Sequence, residues 1–561
     1  MSSASAASAP PAESGEYTHR QILTIITGLM MGMFLGALDQ TIVSTAIRTI
    51  SDDLNGLSVQ AWVTTAYLIT STIATPIYGK LGDLYGRKKL FMFAISVFIA
   101  GSALCSFATS MYMLAGFRAV QGIGAGGLFT LVLAIIGDIV SPRERARYTG
   151  YFMATFGTSS VLGPVIGGFF ASHAVILGLT GWRWVFLVNV PIGIAALFVV
   201  YRTLHVHHHR REARIDWWGA VTLIVTLVPL LTVAEQGREW GWGSGRAMAC
   251  YVIGVVGLGA FYAVERRMHE HAMIPLRMFR LRPVAVGIAA SVITGMALFG
   301  GIMVLPLYMQ IVHGASPMES GFLMLPMVVG MMSASIVSGQ VISRTGHIRG
   351  FPIFGTALAA VGLLLLSRIG ADTALPLVMV LMFFLGYGLG NCMQPLLLIL
   401  QSAVPPRDIG VATASATFFR QIGGTIGVAV FLSILFGQVG GHIGNALEAE
   451  SRTPEFQQAV QNPATPLDRQ FVESFQGGHG TFLAKANDDS SFIQKLSPAL
   501  AHPFKVGFSE AIDTVFLFAG LVGVLAFLTV LLMPKVELRA TSASAAVRSE
   551  TAPTAPMTEE V

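Results

Sequence analysis

The chain has 561 residues, of which 53% are hydrophobic and only 12% are charged, and its mean hydropathy is +0.66. Average soluble domains are about 25% charged, so this chain has too little charge for one soluble globular surface, and the composition indicates a membrane protein. The net charge of +5 and the pI of 9.1 are explained by basic residues in cytoplasmic loops, so we expect no nucleic-acid partner.

The chain begins with a Ser-, Ala- and Pro-rich segment that lacks the basic and apolar regions of a signal peptide, so residues 1–20 are predicted to be a disordered cytoplasmic tail. Apolar stretches of about 20 residues predict membrane-spanning helices. Fourteen such stretches follow, at 22–46, 59–79, 90–108, 111–136, 149–172, 184–202, 217–235, 247–264, 284–306, 319–342, 351–367, 374–400, 410–436 and 508–533.

The basic residues fix the orientation of these spans. They concentrate in alternate loops, which hold Lys80, Arg87, Lys88, Lys89, Arg143, Arg145, Arg147, Arg202, Arg210, Arg211, Arg214, Arg266, Arg267, Arg277, Arg280, Arg282, Arg344, Arg349 and Arg407. The other short loops hold only Arg48, Arg183, Arg238, Arg246 and Arg368. Because cytoplasmic loops carry the excess of Lys and Arg, both termini are predicted to be cytoplasmic.

An internal repeat divides the spans. GKLGDLYGRKK (Gly79 to Lys89) and GQVISRTGHIR (Gly339 to Arg349) lie in corresponding cytoplasmic loops, as in transporters built from two repeated halves with the substrate between them. We therefore predict a six-helix bundle at 21–202, two linker spans at 203–283 and a second six-helix bundle at 284–534. The second bundle includes an extracellular loop at about 437–507, with short helices such as Glu455 to Gln461, and 535–561 is a second disordered cytoplasmic tail.

Two opposite charges are predicted inside the first bundle. Asp39 lies about 12 Å and Arg118 about 10 Å from the outer ends of spans 1 and 4, at 1.5 Å per residue. A charge at such depth is costly unless it is paired or protonated. Burial favours a neutral carboxyl group and a nearby cation favours the charged form, so the pair suits proton coupling. A fixed ion pair or a helix cap is the alternative.

Other polar residues have less certain roles. Arg420 lies about 16 Å into span 13, and it either pairs with Asp83 across the halves or meets a carboxylate or phosphate on a substrate. Gln121 and Gln394 are further candidates for substrate or inter-bundle contact. The histidines His205, His207, His208 and His209 are interpreted as a solvated flank, so we expect no metal site. Cys105, Cys250 and Cys392 are interpreted as packing residues.

Four ordered motifs resemble the major facilitator superfamily, specifically its 14-span drug:proton antiporter branch. They are LDQTIVSTAI (Leu38 to Ile47), GKLGDLYGRKK, RAVQGIGAGG (Arg118 to Gly127) and GTSSVLGPVIGG (Gly157 to Gly168). The first departs from the family pattern, in which Asn and Pro are common at the positions of Ser44 and Arg48. The resemblance implies an all-α membrane protein with two six-helix bundles plus two central helices.

The resemblance also implies roles for two groups of residues. Those of the loop between spans 2 and 3 latch the outward-facing state, and they are Gly79, Asp83, Gly86, Arg87 and Lys88. Those of span 5 form the antiporter motif, which seals the leak path, and they are Gly157, Gly163, Pro164, Gly167 and Gly168.

The expected function is proton-coupled export of hydrophobic small molecules, such as drugs or toxic metabolites, from a bacterial plasma membrane. The proton gradient is the drive, so no cofactor is expected, and the protein is expected to be a monomer. Two alternatives stay open: an exporter or flippase of an endogenous amphiphile such as a lipid or siderophore, and a membrane-embedded enzyme. The enzyme is disfavoured because the sequence lacks HExxH, GxSxG and P-loop patterns.

Overall fold

The computed structural model of the chain describes residues 19–54, 61–204, 216–269, 272–405, 408–476, 492–536 and 538. The predicted tails and the histidine group at 205–209 therefore lie outside the described residues, apart from a few at the inner edges of the tails. The first half contains α1 His19–Asp53, α2 Ala61–Tyr85, α3 Arg87–Ser106, α4 Met111–Ile139, α5 Pro142–Ser172, α6 Trp184–Leu187 and α7 Asn189–Thr203. A hairpin of β1 Val175–Ile176 and β2 Leu179–Thr180 precedes α6, with Val175 paired to Thr180.

Two helices follow the first half, and the second half begins at α10. The remaining helices are α8 Trp217–Trp240, α9 Gly245–Met268, α10 Arg282–Ile311, α11 Pro317–Leu323, α12 Leu325–Thr345, α13 Gly350–Leu366, α14 Leu375–Ala403, α15 Ile409–Glu450, α16 Pro454–Gln461, α17 Pro466–Gln476 and α18 Pro498–Leu531. Short 3-10 helices lie at Gly181–Arg183, Leu276–Arg280 and Ile493–Lys495.

Among the described residues, 12 helices or helix pairs are long and apolar enough to cross a membrane. The prediction of fourteen spans also included α13, which is a shorter apolar helix of 17 residues, and α2. The second of these is 25 residues long, but threonines, Pro76 and the charged residues Lys80 and Asp83 dilute its apolar character. The fold is thus that of a multi-span membrane protein with about 12 clear spans.

The helices pack as two bundles with an inserted pair. In the first half α4 packs against α2 and α3, and α1 packs against α5; in the second half α15 packs against α10 and α18, and α14 packs against α12 and α13. The halves meet where α5 contacts α12 and where α2 contacts α15. Helix α8 packs on both α2 and α15, whereas α9 packs mainly on α8.

Small residues allow the closest of these contacts. A side-chain carbon at Gly122 of α4 would lie 2.5 Å from the carbonyl oxygen of Tyr67 on α2, and one at Gly124 would lie 2.5 Å from the backbone nitrogen of Phe98 on α3. Without a hydrophobic drive between helices in lipid, such backbone approach is how membrane helices gain packing energy. The glycines of α4 therefore hold α2 and α3 against it on two sides.

The end of the bundle where the Arg- and Lys-rich loops lie is called the basic end below. Here the last turns of α2 pack against the first turn of α15, and a side chain at Gly79 would collide with Ala414. Gly86 and Gly346, which occupy corresponding positions of the sequence repeat, both have positive φ, 94° and 73°. Only glycine adopts positive φ without strain, but the two turns differ: ψ is 129° at Gly86, which precedes α3, and −5° at Gly346, which follows α12.

The opposite end differs from the predicted extracellular loop. Helix α15 does not end near 436 but continues to Glu450, because Val439, Ile443 and Leu447 form one apolar face, each at most 6% exposed. A side-chain carbon at Gly507 of α18 would lie 2.5 Å from Ile443. Hydropathy alone missed this extension because the stretch is too polar to span a membrane.

Helices α16 and α17 complete this extension, and α16 coincides with the short helix predicted near Glu455. An aromatic cluster joins them to the start of α18, and it consists of Phe456, Phe471, Phe475, Phe492 and Phe504. Ring pairs of this kind add to the energy of apolar burial. The described part of 437–507 is therefore a packed helical cap on the second half.

Candidate functional site

The first cluster of interest is built around Asp39 in the middle of α1. Its side chain is 0% exposed, and it lies 20 residues, or about 30 Å, from the start of the helix at the basic end. Helix α1 extends to Asp53, seven residues beyond the predicted end of span 1, so Asp39 lies farther from the helix end than predicted. A carboxylate enclosed in this way needs compensating partners.

Arg118 of α4 provides the opposite charge. One guanidinium nitrogen, Nη1, donates to Asp39 Oδ2 at 2.5 Å and to Gln121 Oε1 at 2.7 Å. Arg118 is 1% exposed. The two residues predicted to lie at similar depth therefore form a buried ion pair, and Gln121, one helical turn from Arg118, belongs to the same network.

Two amides hold the other carboxylate oxygen. Gln121 Nε2 and Asn189 Nδ2 each donate to Asp39 Oδ1 at 2.9 Å. Asn189 also donates to the Ser102 hydroxyl at 3.1 Å, and that hydroxyl donates to the carbonyl of Phe186 at 2.9 Å. Sequence reasoning missed Asn189, although a lone asparagine in an apolar span is a usable signal because a buried amide requires partners.

Aromatic rings enclose the ion pair. The Arg118 guanidinium carbon lies 4.0 Å from the centre of the Tyr67 ring and 5.9 Å from that of Phe186. Both rings are fully buried, and stacking of a guanidinium on an aromatic face is favourable when water is excluded. The cluster is thus closed to solvent, and proton exchange at Asp39 requires a conformational change.

This arrangement can act as a two-state switch. The charged carboxylate accepts three hydrogen bonds and neutralises Arg118. Adding one proton to Asp39 would remove the Coulomb attraction and leave the guanidinium without a counter-ion, which is costly at this depth. Protonation of Asp39 would therefore weaken the link that this ion pair makes between α1 and α4.

The turn between α2 and α3 forms a second cluster at the basic end. Arg87 donates to Asp83 at 2.8 Å, pairs with Asp138 of α4 at 3.0 Å and also reaches the carbonyl of Ala134. Lys88 donates to the carbonyl of Tyr201 at 2.9 Å. The predicted latch residues therefore tie α2 to α4 and α3 to α7.

The same turn also faces the second half. A side-chain carbon at Gly410 would lie 2.5 Å from Asp83 Oδ2, so the Asp83 carboxylate lies against the first turn of α15. The N-terminus of a helix carries partial positive charge and attracts anions. Gly79 and Gly410 have no side chains and so allow the two halves to approach closely at this end, where the carboxylate of Asp83 stabilises the contact.

A second link at the basic end comes from the segment Ala272–Arg280, called the strap below. Lys80 of α2 donates to the carbonyl of Ala272 at 3.0 Å, and Arg277 pairs with Asp408 at 3.2 Å. The carboxylate of Glu265 accepts from the backbone N–H groups of Met273 and Ile274 at 3.2 and 3.1 Å. The strap therefore contacts both the first half and the loop before α15.

The span-5 motif has two kinds of neighbour. Side chains at Gly163 and Gly167 would collide with Thr41 and Ile42 of α1, in the same half, and the Thr41 hydroxyl donates to the carbonyl of Ser159 at 3.1 Å. Gly157 and Pro164 instead face Val328 and Gly321 of the second half. Gly168 has open space beside it. The motif therefore packs partly within the first half and partly against the second half.

Arg420 in the second half does not pair with Asp83, because Asp83 is held by Arg87 and by the start of α15. Its side chain is partly buried, packs against Gly295 of α10 and lies near the thiol of Cys392. Gln394 is partly buried on α14 near Cys392 and joins no hydrogen bond of the Asp39 network. The charged network of the first half has no counterpart around Arg420 in the described part of the chain.

Comparison with known proteins identifies relatives of the whole chain. Residues 29–428 match the family model described as the Major Facilitator Superfamily. The chain is 37% identical over 412 residues to Multidrug transporter protein MdtP of Bacillus subtilis (strain 168), covering 73% of this chain and 74% of that protein. It is 33% identical over 519 residues to Multidrug resistance protein 3 of the same strain, covering 92% and 96%.

A solved structure has the same fold. The proton:xylose symporter XylE bound to 6-bromo-6-deoxy-D-glucose aligns with a TM-score of 0.59 at 15% identity, covering 95% of this chain and all of that one. At this identity the likeness concerns the arrangement of helices only.

Proposed function

The chain belongs to the Major Facilitator Superfamily, and we propose that it is a proton-coupled antiporter that exports hydrophobic or amphiphilic small molecules across the plasma membrane. It is a membrane-embedded transporter with multidrug-efflux relatives, and not an enzyme. The observation that carries the proposal is the buried pair of Asp39 and Arg118, in which a single proton changes the charge of an otherwise neutral, closed cluster.

We propose fourteen spans in this membrane, the 12 clear ones plus α2 and α13. The basic end faces the cytoplasm, since basic loops are retained there, and both termini lie on that side of a bacterial plasma membrane. In this orientation the contacts of Gly79, Asp83 and the strap close the cytoplasmic side. The proton gradient is the sole drive, and one copy of the chain forms the transport path.

Exchange then follows from the two charge states of the cluster. In the state open to the outside, Asp39 takes up a proton and releases Arg118. Rocking of the halves exposes the cluster and the cargo site to the cytoplasm, where Asp39 loses its proton and pairs with Arg118 again. Cargo that binds from the cytoplasm favours rocking back to the state open to the outside, so one proton enters for each molecule that leaves.

One proton supplies enough free energy for useful export. A membrane potential of about 100 mV provides roughly 2.3 kcal/mol per charge, and one pH unit adds about 1.4 kcal/mol. A hundredfold concentration gradient of a neutral cargo costs about 2.7 kcal/mol. No further energy source is required by this mechanism.

The test is uphill transport in proteoliposomes driven only by a pH gradient. The cargo probes are ethidium, dansylaminoundecanamide and dansylaminoundecanoate, which are cationic, neutral and anionic amphiphiles. We expect Asp39→Asn to lose accumulation of every probe that the unaltered protein accumulates, because the side chain no longer exchanges a proton.

The matched control is Asp52→Asn, the same change at an exposed residue of the same helix. It is expected to transport like the unaltered protein. Proton-driven accumulation by Asp39→Asn, in protein that elutes as a single species, would refute Asp39 as the coupling residue. Absence of accumulation by the unaltered protein for all three probes would refute the proposed activity.

A further inference from the structure

The second half contains a cation at mid-membrane depth that has no carboxylate neighbour in the part of the chain that the structure describes. Arg420 lies 11 residues, or about 16 Å, from the start of α15 at the basic end. Thr294 lies about 18 Å into α10 and Cys392 about 16 Å from the end of α14, counted from the same side. The three residues therefore lie at similar depth, near the centre of a hydrocarbon core of about 30 Å.

The environment of Arg420 does not neutralise it. Among the described residues, Arg420 takes part in none of the ion pairs or side-chain hydrogen bonds, and the thiol of Cys392 lies near it. The Thr294 hydroxyl is buried beside that thiol. An arginine cannot shed its charge in a protein, so this site holds a full positive charge with only weak dipoles around it.

The side chain of Arg420 packs against α10 inside the second half. Its Cγ lies 3.2 Å from the position that a side-chain carbon would take at Gly295, which is buried. The Arg420 side chain is only partly buried, so part of it is accessible to a bound group.

The site also borders the interface between the halves. The residue after Arg420, Gln421, accepts a hydrogen bond from Thr75 of α2 at 3.4 Å. Cargo in transporters of two repeated halves binds at this interface near the membrane midplane. A group carried between the halves can therefore reach Arg420, and the group that complements an uncompensated guanidinium is an oxyanion, which it binds through two parallel hydrogen bonds.

We propose that Arg420, with Thr294 at the same depth on α10, is a binding site for the anionic head of an amphiphilic cargo, a carboxylate or phosphate group. This inference rests on the proposed export function and names its substrate class. The cost of the unpaired cation is offset only when cargo is bound, so occupancy of the site favours the state in which the halves enclose the cargo. Cargo recognition in the second half is then separate from proton binding at Asp39.

The test measures binding of a matched probe pair by dansyl fluorescence, with purified protein in phosphatidylcholine nanodiscs. Dansylaminoundecanoate and dansylaminoundecanamide differ only in the charge of the head group. We expect the unaltered protein to bind the carboxylate about tenfold or more tightly than the amide, since a hydrogen bond to a charged group is the stronger one. Arg420→Gln should abolish that preference and leave amide binding within about twofold, whereas Arg420→Lys should keep part of it.

The matched control is Arg452→Gln, the same substitution at an exposed arginine just beyond the end of α15. It should keep the full preference. A preference for the carboxylate that survives in well-folded Arg420→Gln would overturn the proposal, and so would equal binding of both probes by the unaltered protein. If Arg420→Gln does not fold, Thr294→Val is the second variant. It must lower the affinity for the carboxylate and leave the affinity for the amide unchanged, and an unchanged carboxylate affinity would overturn the proposal.

Nanodiscs of phosphatidylglycerol distinguish a free anion from a lipid head group. If the unaltered protein binds the carboxylate more weakly in these discs, and Arg420→Gln shows no such weakening, the result supports the same site with lipid phosphate as its occupant. Unchanged binding supports a free amphiphilic anion. Failure of this anion site can be distinguished from failure of the proposed function. If Asp39 couples protons, Arg420→Gln should still accumulate the neutral amide under a pH gradient.

Discussion

The two halves of the molecule carry the same fold but handle buried charge in different ways. In the first half Arg118 is matched by Asp39, and Gln121 and Asn189 bind the carboxylate oxygen that Arg118 leaves free. In the second half Arg420 lies near the thiol of Cys392 and has no carboxylate partner among the described residues. In the proposed mechanism the first cluster responds to a proton, whereas the second takes its counter-ion from a bound ligand.

The clusters also differ in depth. Asp39 lies about 30 Å from the basic end of its helix and Arg420 about 16 Å from that of its own. The proton site is therefore nearer the outer side of the proposed topology, and the proposed cargo site is near the centre. Such separation lets proton and cargo bind at different residues and compete through the rocking of the halves.

The largest contrast is expected when each arginine is made neutral. Arg118→Gln leaves a fully buried Asp39 without its cation and should lower the free energy of unfolding by about 3–5 kcal/mol. Arg420→Gln removes an uncompensated charge and should leave stability equal or higher. Thermal unfolding in detergent measures the stability of both variants. Equal destabilisation by the two substitutions would contradict the claim that the halves handle buried charge differently.

A smaller contrast is expected between two buried asparagines. Asn189→Ala removes a hydrogen bond to a charged carboxylate, a loss of about 1.5–3 kcal/mol, and should slow proton-driven transport. Asn391→Ala in α14 removes only a bond to the carbonyl of Tyr387 within the same helix, about 0.5–1.5 kcal/mol, and should leave transport unchanged. Initial transport rates in proteoliposomes measure the difference. A slower rate in Asn391→Ala than in Asn189→Ala would contradict the role given to Asn189.

The smallest contrast concerns the two repeated turns. Asp83→Asn weakens contact with the start of α15 by about 1 kcal/mol, which corresponds to about a fivefold shift towards opening of the basic end. Ser343→Ala, at the corresponding position of the second half, should cause no shift. Maleimide labelling of a cysteine placed at buried Ser415 reports opening in a background free of other cysteines. Equal labelling in both variants would show that the acidic position does not hold this end closed.

Local and periodic features were predictable from sequence. Hydropathy located most spans, and the repeat aligned Gly86 with Gly346, and both residues have positive φ. The depth estimate brought Asp39 near Arg118 because helices have a fixed rise per residue. Side-chain partners were harder to predict from the sequence. Asn189 and Tyr67 come from helices distant in the chain, and their orientation depends on how the glycines of α4 bring α2 and α3 together.

Two interpretations of the sequence differ from the structure for identifiable reasons. Pairing with Asp83 was one of two alternatives for Arg420, and it does not occur because Arg87, only four residues from Asp83, forms the ion pair with it. The segment after 436 was assigned to a loop because it is polar on average. Its apolar face at Val439, Ile443 and Leu447 needed the start of α18 as a partner, which hydropathy windows do not consider.

The most direct test of the account is the number of protons released when cargo binds. Purified protein in weakly buffered detergent is mixed with dansylaminoundecanamide, which has no titratable head group, and a pH indicator follows the change. The account predicts proton release by the unaltered protein and by Arg420→Gln, and none by Asp39→Asn. Release of the same number of protons by Asp39→Asn would contradict the claim that Asp39, working against Arg118, is the proton switch.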